Sequence, residues 1–236
     1  MRELSELVDV QHRAWPELSR MFEAGPLDVR VLPPDPEHPG RCLLRVQVGA
    51  GSFLGAVALE SSGILVDGGW LRVHGGGCAD LPGLDRVNGM TGEIGDVRPA
   101  RLVVAHDVIG GVFALNGPET EALGWPGAPG EMVYFAPDSL EWEPLGTGCS
   151  GWWERLLAGH LTEFYEGLRW PGWRAETANL PPSTGVTVYP FLWSAEAQSD
   201  LAATTRTPAP VAELVGANLE FCSSLGLPAP GPLGSF

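Results

Sequence analysis

The chain has 236 residues, 44% of them hydrophobic, and a formal net charge of −15 from 29 acidic residues against 14 basic ones. Lysine is absent and the arginines form no run, which excludes a nucleic-acid partner, since phosphate neutralisation needs a basic face, and a P-loop, which needs its lysine. No stretch reaches the roughly 18 apolar residues of a membrane span, and the opening MRELSELVDV is charged and amphipathic, so a cytoplasmic protein without membrane association is expected.

The length suits one α+β domain over 1–226. Leu4, Leu7 and Val8, then Trp15, Leu18, Met21 and Phe22, give two amphipathic helices, the second with Pro16 in its first turn and Gly25 as its stop. Val29 to Leu32 predicts a strand leading into the proline loop PPDPEHPG. Cys42 to Val48 fits a helix or a strand, whereas Phe53 to Leu59, Ile64 to Val66 and Trp70 to Val73 read as successive strands of a meander. The glycine-rich 74–99 stretch lacks apolar periodicity and reads as a long surface loop, a candidate functional element.

Leu102 to Ala105 and Val112 to Leu115 predict two strands joined through His106-Asp107 and Gly110-Gly111 and closed by an Asn116-Gly117 turn. Met132 to Phe135 gives a third strand. Ser150 is the expected N-cap of a helix carrying Trp153, Leu156 and Leu157, stopped by Gly159 and followed by a short helix over Leu161 to Leu168. A weaker helix should run from Trp173 to Leu180, then an edge strand at Val186 to Tyr189. Val211 to Leu225 predicts the last helix, and the Pro/Gly-rich 227–236 segment should be disordered.

Signals for chemistry are sparse. Cys42, Cys78, Cys149 and Cys222 show no CxxC or CxxH, and the five histidines show no HxH or HxxxH, so neither a metal nor another cofactor is expected. There is no GxSxG, and Cys149 with His160 is a weak nucleophile pairing. Gly110 and Gly111 are expected to shape a turn rather than hold a ligand. His106 and Asp107 should point to opposite faces as solvated polar residues at a strand end. Glu141-Trp142-Glu143 alternates, placing both carboxylates on one strand face and the indole on the other. With Asp107 and Asp138 these acids could line a sugar-cleaving cleft, but solvated acids over a buried indole account for the pattern. Among nine tryptophans, adjacent Trp152 and Trp153 cannot both face one core, and Trp170 and Trp173 flank a Pro-Gly turn. Trp152, Trp170 and Trp173, with Asp107, Asp138, Glu141 and Glu143, are therefore the candidate partner-binding residues.

The ordered segments LVDGGWLRVHGGG, LVVAHDVIGGVFALNG, VYFAPDSLEWEPLG, SGWW, FYEGLRWPGW and YPFLW resemble the bacterial domain-of-unknown-function family DUF2625 from about Glu3 to Gly226. Two departures stand out: Gly-Cys-Ser at 148–150 in place of Gly-Tyr-Ser, and Ala-His-Asp at 105–107 in place of Ala-Asp-Asp, so position 106 is not an obligatory carboxylate. More distantly the arrangement is similar to the SUKH superfamily of immunity and regulatory domains. That similarity implies an α+β fold with a central mixed or antiparallel sheet flanked by helices, and a binding role against a protein toxin. The expected function is non-enzymatic binding of a protein partner such as a basic toxin, attracted by the acidic surface. The alternative is a protein or hydrolase acting on a sugar or other small polar ligand. Oligomeric state is left open by the sequence.

Overall fold

The computed structural model describes residues 1–38, 40–95 and 99–236. Seven strands form an antiparallel meander in strict chain order: β1 (Val29–Leu32), β2 (Gly63–Val66), β3 (Leu71–His74), β4 (Arg101–Asp107), β5 (Val112–Asn116), β6 (Met132–Ala136) and β7 (Glu141–Pro144). A separate hairpin pairs β8 (Thr184–Tyr189) with β9 (Thr205–Pro210). The fold is α+β, as expected from the mixture of short strands and helices.

Strand alternation divides the core between two sheet faces. Phe113, Met132, Tyr134 and Ala136 join one apolar cluster, while Val112, Ala114, Val133 and Phe135 join another. Both faces are covered, so β5 and β6 read as unbroken apolar runs. The first face lies under α1 (Leu4–Val8), α2 (Trp15–Ala24), α3 (Arg41–Val46), α4 (Phe53–Glu60) and α6 (Cys149–Arg155), with α5 (Leu84–Val87) inserted between β3 and β4. A π-turn at Leu156–His160, α7 (Leu161–Phe164) and α8 (Trp173–Thr177) continue from α6. The second face is closed by the long C-terminal helix α10 (Val211–Ser224), which follows the short α9 (Ala195–Ser199), and by the segment after it.

Several expectations need correction. Phe53 to Leu59 is helix α4, capped by Ser52, whose Oγ accepts from the Gly55 amide at 3.1 Å. Six consecutive residues from Phe53 to Ala58 are buried. A helix buried all round has no polar stripe, so its apolar run imitates a strand. Ser150 lies inside α6 rather than capping it; Gly148 holds the cap position. Asn116 and Gly117 do not make a hairpin turn: Asn116 still pairs with Arg101, and the Gly117 amide donates to the Ala100 carbonyl at 2.8 Å. The first half of the 74–99 stretch is no surface loop, because His74, Leu81, Leu84, Asp85 and Val87 are buried and α5 falls within it; 96–98 lie outside the described residues.

The 227–236 segment is seated rather than disordered. The Trp142 Nε1 donates to the Pro230 carbonyl at 2.9 Å, the Ser235 amide donates to the Val87 carbonyl at 2.8 Å, and Leu233 is buried in the second core. Prolines and glycines remove regular structure, but Leu233 and Phe236 supply enough apolar area to hold the strap down.

Candidate functional site

The β4–β5 connection builds its own buried centre. Asp107, at the end of β4, is fully buried. Its Oδ1 accepts from the Ile109 amide at 3.1 Å and the Gly111 amide at 2.8 Å, while Oδ2 accepts from the Tyr134 hydroxyl at 2.7 Å and the Tyr165 hydroxyl at 2.9 Å. Burial pushes its carboxyl above the usual range despite these four donors, and the same burial drives both tyrosines upward. Asp107 is thus a structural acceptor that ties the β4–β5 turn to β6 and to the residue after α7. It is neither solvated nor open to a partner, which corrects the expectation for this residue.

Gly110 and Gly111 serve the same centre. Gly110 has φ 87° and so occupies the left-handed region. A Cβ at Gly111 would collide with the Tyr134 hydroxyl and an Asp107 carboxylate oxygen. Gly111→Ala should therefore cost about 1–3 kcal/mol by overpacking, read as a lowered urea midpoint with altered near-UV dichroism from the two tyrosines.

His106 points to the other face, as strand alternation requires, but it too is buried. A polar chain runs there from the Pro82 carbonyl to His74 Nδ1 at 2.8 Å, from His74 Nε2 to His106 Nδ1 at 3.2 Å, and from His106 Nε2 to the Pro182 carbonyl at 3.3 Å. Three contacts need three protons, and two neutral imidazoles supply two. Both end carbonyls can only accept, so whichever tautomers the two rings adopt, one of the three contacts is left without a proton. Burial lowers His74 to about 4, and burial with the neighbouring His74 and Arg72 drives His106 well below the usual range. The Phe236 ring closes the site, edge-on to His106 with centroids 4.9 Å apart.

Two of the quoted motifs prove to be halves of one cluster. Asp67, in the β2–β3 turn, takes φ 54°, which a short Asp side chain tolerates, and lies buried against Arg169 at 2.7 Å and Arg174 at 2.6 Å. The Arg169 contact lacks the alignment of a hydrogen bond. Arg169 sits among aromatic faces, 4.9 Å from Trp70, 5.1 Å from Tyr165 and 4.2 Å from Trp173. LVDGGW and FYEGLRWPGW are specific in wording because they must fit each other. Sequence reasoning missed Asp67; its signal was the Asp-Gly-Gly turn.

The remaining candidates separate. Trp152 and Trp170 are buried in the first core and offer no surface to a partner; Trp173 is half-buried, covered by both Arg169 and Arg174. Asp138, Glu141 and Glu143 do come together at the β6–β7 turn, away from Asp107. Partial burial and the neighbouring Asp138 and Glu141 raise Glu143, and burial raises Asp138. Trp142 points opposite to its flanking glutamates, into the second core, as alternation predicts. Burial raises the Cys149 thiol to about 11, so it stays protonated at neutral pH, and no hydrogen bond joins it to His160 among the described residues.

Beside the acidic turn lies an exposed aromatic group that sequence reasoning did not single out. Tyr189 is 65% exposed and Phe191 38%. Phe191 stacks on Trp193 with centroids 5.6 Å apart and meets Phe221 of α10 at 4.5 Å. Pro137 of the acidic turn borders the same shallow depression, and Gln198 Nε2 donates to the Asp138 carbonyl at 3.2 Å. The signal was present in YPFLW, whose rings recur at every second residue.

An antiparallel meander clamped between helices, with internal polar centres that knit its motifs together, defines this chain as an α+β protein. It belongs to the family described as "Protein of unknown function DUF2625", whose model matches residues 4–214. It is 38% identical over 194 residues to the putative uncharacterized protein YbfG of Escherichia coli (strain K12), covering 82% of this chain and 86% of that one. An uncharacterized protein of Haemophilus influenzae (strain ATCC 51907 / DSM 11121 / KW20 / Rd) is 35% identical over 183 residues, covering 76% of this chain and 78% of its own. No solved structure matches. Among the described residues, no helix is long and apolar enough to cross a membrane, and no group of three or more His, Cys, Asp or Glu side chains could hold a metal ion.

Proposed function

We propose that this chain is a non-catalytic, cytoplasmic protein-binding domain that receives a basic, apolar-tipped segment of a partner at the surface formed by Tyr189, Phe191, Phe221 and the Asp138-Glu141-Glu143 turn. One observation carries the reading: large exposed rings border Pro137, which leads into the turn where partial burial and the neighbouring Asp138 and Glu141 raise Glu143. Rings supply the buried anchor of an interface, and the acids select a partner of opposite sign. The depression there holds only about 60 Å³, which suits a protein contact and is too small for a drug-sized ligand. Saturation of Asp107 by four protein donors supports the non-catalytic half of the reading. The similarity to SUKH domains adds neutralisation of a basic toxin as the biological setting.

The test begins with partners recovered by the full chain from its source organism. Phe191→Asp should weaken the recovered complex by about thirtyfold or more, as loss of a central anchor does. Neutralising all three acids with Asp138→Asn, Glu141→Gln and Glu143→Gln should slow association and flatten its salt dependence. A recovered partner that binds both variants as it binds the unaltered chain, or that is itself acidic, overturns the proposal.

A further inference from the structure

The glycine-rich stretch singled out in the sequence walls a cavity of about 620 Å³, bounded opposite by the proline loop and α3. Gly76, Gly77 and Gly83 form that wall. Gly77 has φ 92°, and a Cβ at Gly83 would stand 2.7 Å from the Gly76 carbonyl oxygen, so the two backbone segments close on each other only without side chains.

The rest of the lining is unusual for so acidic a chain. Arg41, Arg45 and Arg86 border the cavity with His38, against Asp35 and Asp85. Both carboxylates are engaged. Asp85 Oδ2 meets Arg45 Nη1 at 3.1 Å and its Oδ1 accepts the Arg86 amide at 2.9 Å. Asp35 Oδ2 meets His38 Nδ1 at 3.1 Å, and its Oδ1 accepts the Glu37 amide at 2.9 Å. The guanidinium groups of Arg41 and Arg86 pair with no carboxylate among the described residues. Two guanidinium groups on a concave, partly backbone-walled site present planar forks matched to an oxyanion, and the concavity focuses their field.

We propose that this cavity binds a small molecule bearing a phosphate or carboxylate group, held by Arg41 and Arg86, with its remaining body filling the volume beneath the proline loop. The site is separate from the aromatic surface, so the two proposals fail independently.

Cys78 gives a direct reporter, because it is exposed, lines the cavity, and the other cysteines are buried or half-buried. Full-length protein is alkylated with iodoacetamide in millimolar inorganic phosphate, in citrate, and in chloride of equal ionic strength, and modification of Cys78 is followed by mass spectrometry. Phosphate, citrate or both should slow alkylation about fivefold as the site fills, while chloride should not; the responding anion identifies which group is held. Arg41→Gln/Arg86→Gln should abolish the protection. Equal rates in all three salts, or unchanged protection in the folded double variant, overturn the proposal. Should that variant not fold, the Gly76, Gly77 and Gly83 amide resonances of the unaltered chain decide: saturable shifts with either anion support the site, and static resonances refute it.

Discussion

Asp107→Ala should lower folding stability by about 4 kcal/mol, because it strips the acceptor from two amides and two tyrosine hydroxyls that are sealed from water. Each orphaned buried donor costs on the order of 1–3 kcal/mol, and partial relaxation keeps the sum below simple addition. Asp107→Asn should behave differently. Its carbonyl can still serve the two amides and no charge has to be buried, but its NH2 cannot accept the two tyrosine hydroxyls, so an intermediate loss of about 2 kcal/mol is expected. Urea unfolding of the two variants checks the order. Equal losses for Ala and Asn, or near-native stability of the Ala variant, would show that Asp107 is not the centre that organises this turn.

The histidine chain makes the protein acid-sensitive in a defined window. Burial depresses both imidazoles in the folded state, so the unfolded chain binds more protons and stability rises with pH. The contribution is present above the ordinary histidine value near 6.5 and is lost as pH falls through the folded value, about 4 for His74. For His74 alone the difference corresponds to roughly 3 kcal/mol. The pair shares a proton path, so what titrates is the pair. Asp107 acts with opposite sign. Its raised carboxyl contributes stability below the unfolded value near 3.8, lost as pH rises through the folded one, so it offsets part of the histidine effect at the acid end. Urea midpoints between about pH 6.5 and 4.5 should fall steeply for the unaltered chain and much less for His74→Leu/His106→Leu. Parallel curves for the two proteins would contradict this account.

What could be read in advance divides along physical lines. The strands of β4 to β6 were legible because short apolar runs between turn residues leave few alternatives, and the alternation at Glu141-Trp142-Glu143 of β7 predicted its burial pattern directly. Helix α4 was not, because complete burial erases the period by which a helix is recognised. Strand β9 was missed for a related reason. Its sequence Thr-Arg-Thr-Pro-Ala-Pro suits an edge strand of a small hairpin, but looks like loop. The candidate site was legible only in part. Asp138, Glu141 and Glu143 meet as neighbours in sequence do, but Asp107 depends on Tyr134 and Tyr165, and His106 on His74, partners 27, 58 and 32 positions away. Nothing local encodes such pairs. Trp152 was a surface candidate because it adjoins Trp153 on one helix, and Trp170 because it flanks a Pro-Gly turn with Trp173; Trp170 is buried against Trp70, with centroids 5.7 Å apart. Helix α6 is instead covered on two sides, so Trp152 packs on Phe113 of β5 with centroids 5.4 Å apart while Trp153 meets Phe22 of α2 at 5.9 Å, and both adjacent indoles are buried in the first core.

The seating of Phe236 against His106 bears on how this protein can be handled. Any polypeptide continuing past that ring, including an affinity handle or a fluorescent fusion, has to depart beside the imidazoles and the Val87 carbonyl, and bulk there would lever the aromatic plug out and wet the histidines. The opposite end offers the safer attachment: Met1 is 84% exposed, so a handle there leaves the second core sealed.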